Sequence, residues 1–208
     1  MTYRTADGTG IWTVDVPGSF RSDVCFLDLE TVKVPTRAGF RMKTGEPLGR
    51  RWSAFLAGVT SYRRISLVEK SGSEEAFLAG VREEIGSASA VVYRATRKFD
   101  EMILRGRFTY ARRGPEDVPF YPAMPGAESL AWRCERPDPD GFWESVRERE
   151  LSSARVSETY RADPGLVRLH LLRDVCELIG AYGEADPECE DWLVRVLTDD
   201  DFARDLLV

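Results

Sequence analysis

Val24-Cys25-Phe26-Leu27-Asp28-Leu29-Glu30-Thr31 is an apolar run that ends in two carboxylates two positions apart. Four apolar residues in succession followed by alternation read as a buried strand. Side chains alternate across a strand, so Asp28 and Glu30 share a face, with α-carbons about 6.6 Å apart. Two acids so close repel each other unless water screens them or a cation lies between. Hard divalent ions such as Mg²⁺ take such oxygen ligands and often carry bound phosphate. The plainer alternative is a strand end that dips into solvent.

Upstream of this run, Ile11 to Val16 alternates weakly and stops at Pro17-Gly18, as a short strand or arm at the domain edge would. An N-terminal arm over about residues 1–22 is therefore expected. Downstream, Val34 to Gly49 is rich in Pro, Gly, Arg and Lys and reads as a loop. Residues 51–60 and 64–69 read as a second and third strand, joined by a turn into an antiparallel hairpin. Ser73 can cap a helix whose first turn holds Glu74 and Glu75, whose core side is Phe77, Leu78, Val81 and Ile85, and which Gly86 can stop. Residues 88–93 follow as a fourth strand, and 99–108 turn helical. Four prolines between residues 113 and 127 predict an irregular connection, placed within an insertion over about 113–140. Helices are expected over about 141–159, 164–182 and 190–207. A hairpin start continued through a helical crossover defines a mixed α/β sheet with a helical C-terminal part, in one domain spanning 1–208.

Composition narrows the class. With 43 % hydrophobic and 31 % charged residues, the chain has the balance of a globular domain with a sizeable core. No apolar run approaches the roughly 20 residues a membrane span requires, and residues 1–10 lack a secretory pattern. The four cysteines (Cys25, Cys134, Cys176 and Cys189) form no C-x-x-C pair or zinc-like spacing, so free thiols in a reducing cytoplasm are expected. The net charge of −6 conceals an asymmetry. Residues 31–113 hold 17 Lys/Arg against 8 Asp/Glu, whereas residues 114–208 hold 10 against 22. A basic stretch on an acidic protein can form a local polyanion-binding face, or simply a solvated arginine-rich surface. No Walker-type loop, G-x-G-x-x-G or nucleophile elbow is present.

Two further stretches give the leading run its context. Phe26-Leu27-Asp28-Leu29-Glu30-Thr31, Phe99-Asp100, and His170-Leu171-Leu172-Arg173-Asp174-Val175 follow one another in order. Together they resemble the first, second and third motifs of the DEDD 3′–5′ exonuclease superfamily, which has a ribonuclease-H-like fold. Phe55-Leu56-Ala57-Gly58-Val59 and Glu74-Glu75-Ala76-Phe77-Leu78 resemble its second strand and first helix. The likeness is closest to a bacterial branch of predicted exonucleases whose last helix carries H-N-x-x-D, and it covers about 24–108 and 167–180. Position 95 is Ala where the superfamily often has Asn, and position 171 is Leu where that branch has Asn. On a helix, His170, Asp174 and Glu177 lie close together at spacings of four and three, away from the stripe of Leu171, Leu172, Val175, Leu178 and Ile179.

The resemblance implies a two-metal exonuclease acting on single-stranded or 3′-ended DNA or RNA. Asp28, Glu30, Asp100 and Asp174 would bind two Mg²⁺ or Mn²⁺ ions, and His170, the sole histidine, would position or deprotonate the attacking water. Arg94, Arg97, Lys98, Arg105 and Arg107, with Arg112 and Arg113, are candidates to hold phosphates, and Phe108 or Tyr110 to stack on bases. Their alternative is a solvated helix face paired to the acidic C-terminal region. Trp132, Trp143 and Trp192 read as packing residues, and Asp199-Asp200-Asp201 as the acidic start of a helix. Two rival functions stand beside the exonuclease. One is a catalytically impaired ribonuclease-H-like module that binds nucleic acid or protein. The other is a metal-dependent phosphohydrolase or nuclease with internal cuts or a small nucleotide substrate.

Overall fold

The computed structural model of the chain describes residues 2–6, 9–33, 52–94, 99–109, 129–135 and 156–208. Its strands are β1 (Thr2–Ala6), β2 (Thr9–Asp15), β3 (Val24–Lys33), β4 (Trp52–Ser61), β5 (Arg64–Lys70), β6 (Ala90–Arg94) and β7 (Ala131–Glu135). They form one mixed sheet in the order β1-β2-β5-β4-β3-β6-β7. Neighbours are antiparallel from β1 through to β3, and parallel from β3 through β6 to β7. The described helices are α1 (Glu74–Ile85), α2 (Phe99–Thr109), α3 (Val156–Ala162), α4 (Pro164–Tyr182), α5 (Pro187–Thr198) and α6 (Asp200–Asp205).

The alternation of β3 divides the molecule into layers. Cys25, Leu27 and Leu29 join a core with Phe77, Leu78 and Val81 of α1 and Ile103 and Leu104 of α2. Val24 and Phe26 join a second core with Leu171, Leu172 and Val175 of α4 and Leu193 and Val196 of α5. The sheet thus lies between two helical layers, and Asp28 and Glu30, in step with Val24 and Phe26, fall on the α4 side.

Local chemistry starts and stops these elements. Ser73 Oγ accepts from Ala76 N at 3.1 Å, and Gly86, at φ 59°, ends α1 in a conformation that disfavours a side chain. Asp163 accepts from Leu166 N at 3.1 Å, and Pro164 occupies the first turn, where its missing N–H costs nothing. Between Glu30 and Thr31 the β3–β4 register slips: Glu30 faces Leu56, but Thr31 faces Ala54. Phe55 is therefore an extra residue on β4, so Phe55 and Leu56 both contribute to the α4-side core.

Some expectations change. Residues 11–15 of the 11–16 stretch expected as a short strand or arm belong to β2, which pairs along its whole length with β5 and carries β1 outside it. The N-terminal region thus extends the sheet, because Ile11 and Val14 have apolar surface to bury. Within the stretch expected as an irregular insertion, residues 131–135 form β7 beside β6. The last expected helix is two, broken where Asp199 turns extended and accepts from Phe202 N at 2.9 Å to cap α6. Cys25, Cys134, Cys176 and Cys189 are free thiols. The expected loop over 34–49, the connection over 113–127 and Trp143 lie outside the described residues. Among the described residues no helix is long and apolar enough to cross a membrane.

Candidate metal centre

Three separate parts of the chain deliver acids to one place. Asp28 and Glu30 come from β3, Asp100 from the first turn of α2, and Asp174 from the middle of α4. His170 lies one turn before Asp174, and its Nε2 is 3.1 Å from Asp174 Oδ2 and 3.5 Å from Glu30 Oε1. Ligand atoms of Glu30, His170 and Asp174 all lie within 4.8 Å of one another. The side chains of His170 and Glu30 are only 10 % and 11 % exposed, so water screens this cluster poorly.

The electrostatics follow from that enclosure. Burial pushes the Asp28 carboxyl well above the usual carboxylate range, and the negative charges of Asp174, Asp100 and Glu30 push it further. Burial likewise raises Asp100, with Glu30 and Asp174 adding to the shift. Glu30 is raised by burial too, although the His170 hydrogen bond and charge pull the other way. Carboxylates that raise one another's affinity for protons are also relieved by a hard cation placed among them. The chemistry of the donors suits Mg²⁺ or Mn²⁺: the carboxylates of Glu30 and Asp174 lie within ligand distance of each other and of the His170 imidazole, and Asp28 and Asp100 lie within reach of their charge without joining that group.

This arrangement predicts a pH signature. With raised native pKa values, Asp28, Glu30 and Asp100 hold their protons longer in the folded than in the unfolded chain. Their contribution to metal-free stability is therefore fully present below the ordinary carboxylate range and is lost as pH rises through their native values. In EDTA, the Tm of wild type relative to Asp28→Asn should fall between pH 5 and pH 7.5. The Tm increment from Mn²⁺ should grow over the same interval. A pH-independent difference between the two proteins would show that these acids do not share one field.

The neighbouring framework was not visible as a pattern in the chain. Tyr93 Oη on β6 donates to Glu101, which also accepts from Arg105 Nη1 at 2.9 Å, so the α2 turn bearing Asp100 is tied to the sheet. Two residues before His170, Arg168 lies 4.0 Å over the Trp12 ring and pairs with Glu69 of β5 at 2.9 Å. Tyr160 of α3 donates to the same Glu69 carboxylate. A buried tyrosine or glutamate in an apolar strand was the available signal, but it does not name its partner.

The basic candidates separate. Arg94 turns inward and pairs with the fully buried Glu177, which is therefore a packing partner of β6 rather than a member of the acid cluster. Arg105 is exposed on α2 and paired with Glu101. Arg97 and Lys98, the side chain of Arg107, and Tyr110, Arg112 and Arg113 lie outside the described residues. Phe108, expected as a stacking surface, is instead fully buried, its ring centre 6.4 Å from that of Trp132. An apolar α2 face has to be covered, and Phe108 and Ile103 supply that face.

The chain matches no family model, no curated protein and no solved structure.

Proposed function

We propose that this chain is a metal-dependent 3′–5′ exonuclease of ribonuclease-H-like fold, hydrolysing phosphodiester bonds of DNA or RNA. The observation that carries the reading is the contact of Glu30, His170 and Asp174, with Asp28 and Asp100 buried within electrostatic reach of Glu30 and Asp174, drawn from three distant stretches of sequence. Supporting it, the β5-β4-β3 portion is antiparallel and β3-β6-β7 parallel, in keeping with the hairpin start and parallel continuation expected of that fold.

Asp28, Glu30, Asp100 and Asp174 would hold two Mg²⁺ or Mn²⁺ ions, which when bound supply Lewis acidity and stabilise the attacking and leaving oxygens of an in-line displacement. The chain's own part is orientation and proton movement. Glu30 and Asp174 fix the His170 ring so that Nε2 faces the acid cluster. With Nε2–H donated to these carboxylates, the ring would position a water poised for attack, and a neighbouring carboxylate would accept that water's proton. Low exposure excludes bulk water and strengthens each of these interactions. The released product would be a nucleoside 5′-monophosphate.

The test is a 5′-labelled single strand of DNA or RNA incubated with Mn²⁺. Stepwise shortening that stops at a blocked 3′ end is the expected result. Cleavage of the blocked strand would favour internal cutting, and tight binding without shortening would favour a binding module.

A further inference from the structure

Gly58 lies on β4 directly across from Asp28 of β3, on the sheet face that α4 covers. A methyl group at Gly58 would stand 2.5 Å from Val175 Cγ2, 3.2 Å from Leu171 Cγ and 3.6 Å from the Leu171 carbonyl oxygen. Both neighbours belong to α4, and each immediately follows a residue of the acid cluster: Leu171 follows His170 and Val175 follows Asp174. Leu171 and Val175 are fully buried, so neither has solvent to retreat into. In a close-packed interior the response to an added methyl is movement of the helix or strain in the side chains.

We propose that Gly58 is a positioning residue: its missing side chain sets how closely α4 approaches the sheet, and thereby the spacing of His170 and Asp174 from Asp28 and Glu30. The inference rests on the metal-site reading for its consequence, but its geometry does not depend on metal. Metal ligands require placement to within tenths of an ångström, and displaced supporting groups typically weaken metal binding 10–100-fold.

Gly58→Ala tests it, with Val175→Ala alone and the double substitution as companions. Manganese titration calorimetry should show about a tenfold or greater loss of affinity in Gly58→Ala. The double substitution, which removes Val175 Cγ2 from the collision, should recover most of that loss. His170 is the sole histidine, so its ring resonances give a metal-free report. They should move in Gly58→Ala and return toward the wild-type position in the double variant. Wild-type affinity and an unmoved His170 signal in Gly58→Ala would overturn the proposal. So would a double variant that fails to fold, or one that folds without recovering either signal while Val175→Ala alone retains both. A wild type that takes up no Mn²⁺ would overturn the metal reading itself, leaving the His170 signals to decide the role of Gly58.

Discussion

Asp28→Asn should abolish hydrolysis while making the metal-free protein more stable. Asparagine keeps the shape of the side chain and removes its charge. Asp28 sits where burial and three neighbouring carboxylates already oppose ionisation, so neutralising it relieves repulsion in the apo state. The same change removes an oxygen ligand and the charge needed to hold cations. Loss of one preorganised electrostatic group costs about 10²–10³ in rate; removing a carboxylate that the proposal makes a metal ligand should cost at least the upper figure. Degradation of a labelled single strand and thermal melts in EDTA at pH 7.5 measure the two effects. Opposite signs mark a site selected for function against stability. Retained turnover would end the exonuclease reading. A lower Tm in EDTA would mean that Asp28 is stabilised as an anion by the protein, contrary to the shift that its neighbours impose.

How much the chain disclosed depends on the range of each interaction. The common face of Asp28 and Glu30 follows from a period of two, and α4 follows from Asp163, Pro164 and the stripe from Leu171 to Ile179. These are local rules, and the elements they define bring Glu30, His170 and Asp174 together. Distant pairings obey no such rule. β1 exists because β2 offers it an edge, and β7 because β6 does. The extra residue Phe55 is invisible until β3 and β4 are paired. Arg94 is the sharpest case, since an arginine near a second motif suggests phosphate, whereas its partner Glu177 lies 83 positions away. Phe108 misleads for the opposite reason: beside basic residues it suggests stacking, but α2 needs it for the core.

Arg94→Met should destabilise the fold by about 3–5 kcal/mol, whether or not nucleic acid is present. The Arg94 side chain is 14 % exposed and that of Glu177 is 0 % exposed. Methionine approximates the volume of the arginine stem but leaves a buried carboxylate without its guanidinium. In a chain of this length, each 1 kcal/mol moves Tm by about 2–4 °C, so a drop on the order of 10 °C is expected. Adding Glu177→Leu should restore most of it, because exchanging both partners of a buried ion pair for apolar groups is often neutral. Urea denaturation of the four proteins gives the coupling directly. A loss below about 1 kcal/mol in the single variant would mean that the pair behaves as though solvated. The double variant also separates two roles for Arg94. A phosphate-binding arginine would reduce the slope of log affinity against log salt by about 0.7 for a single strand, whereas a structural tie leaves it unchanged. An unchanged slope is the expected result, since Glu177 holds the guanidinium on the helix that carries Asp174, joining the end of β6 to α4 one turn beyond the acid cluster.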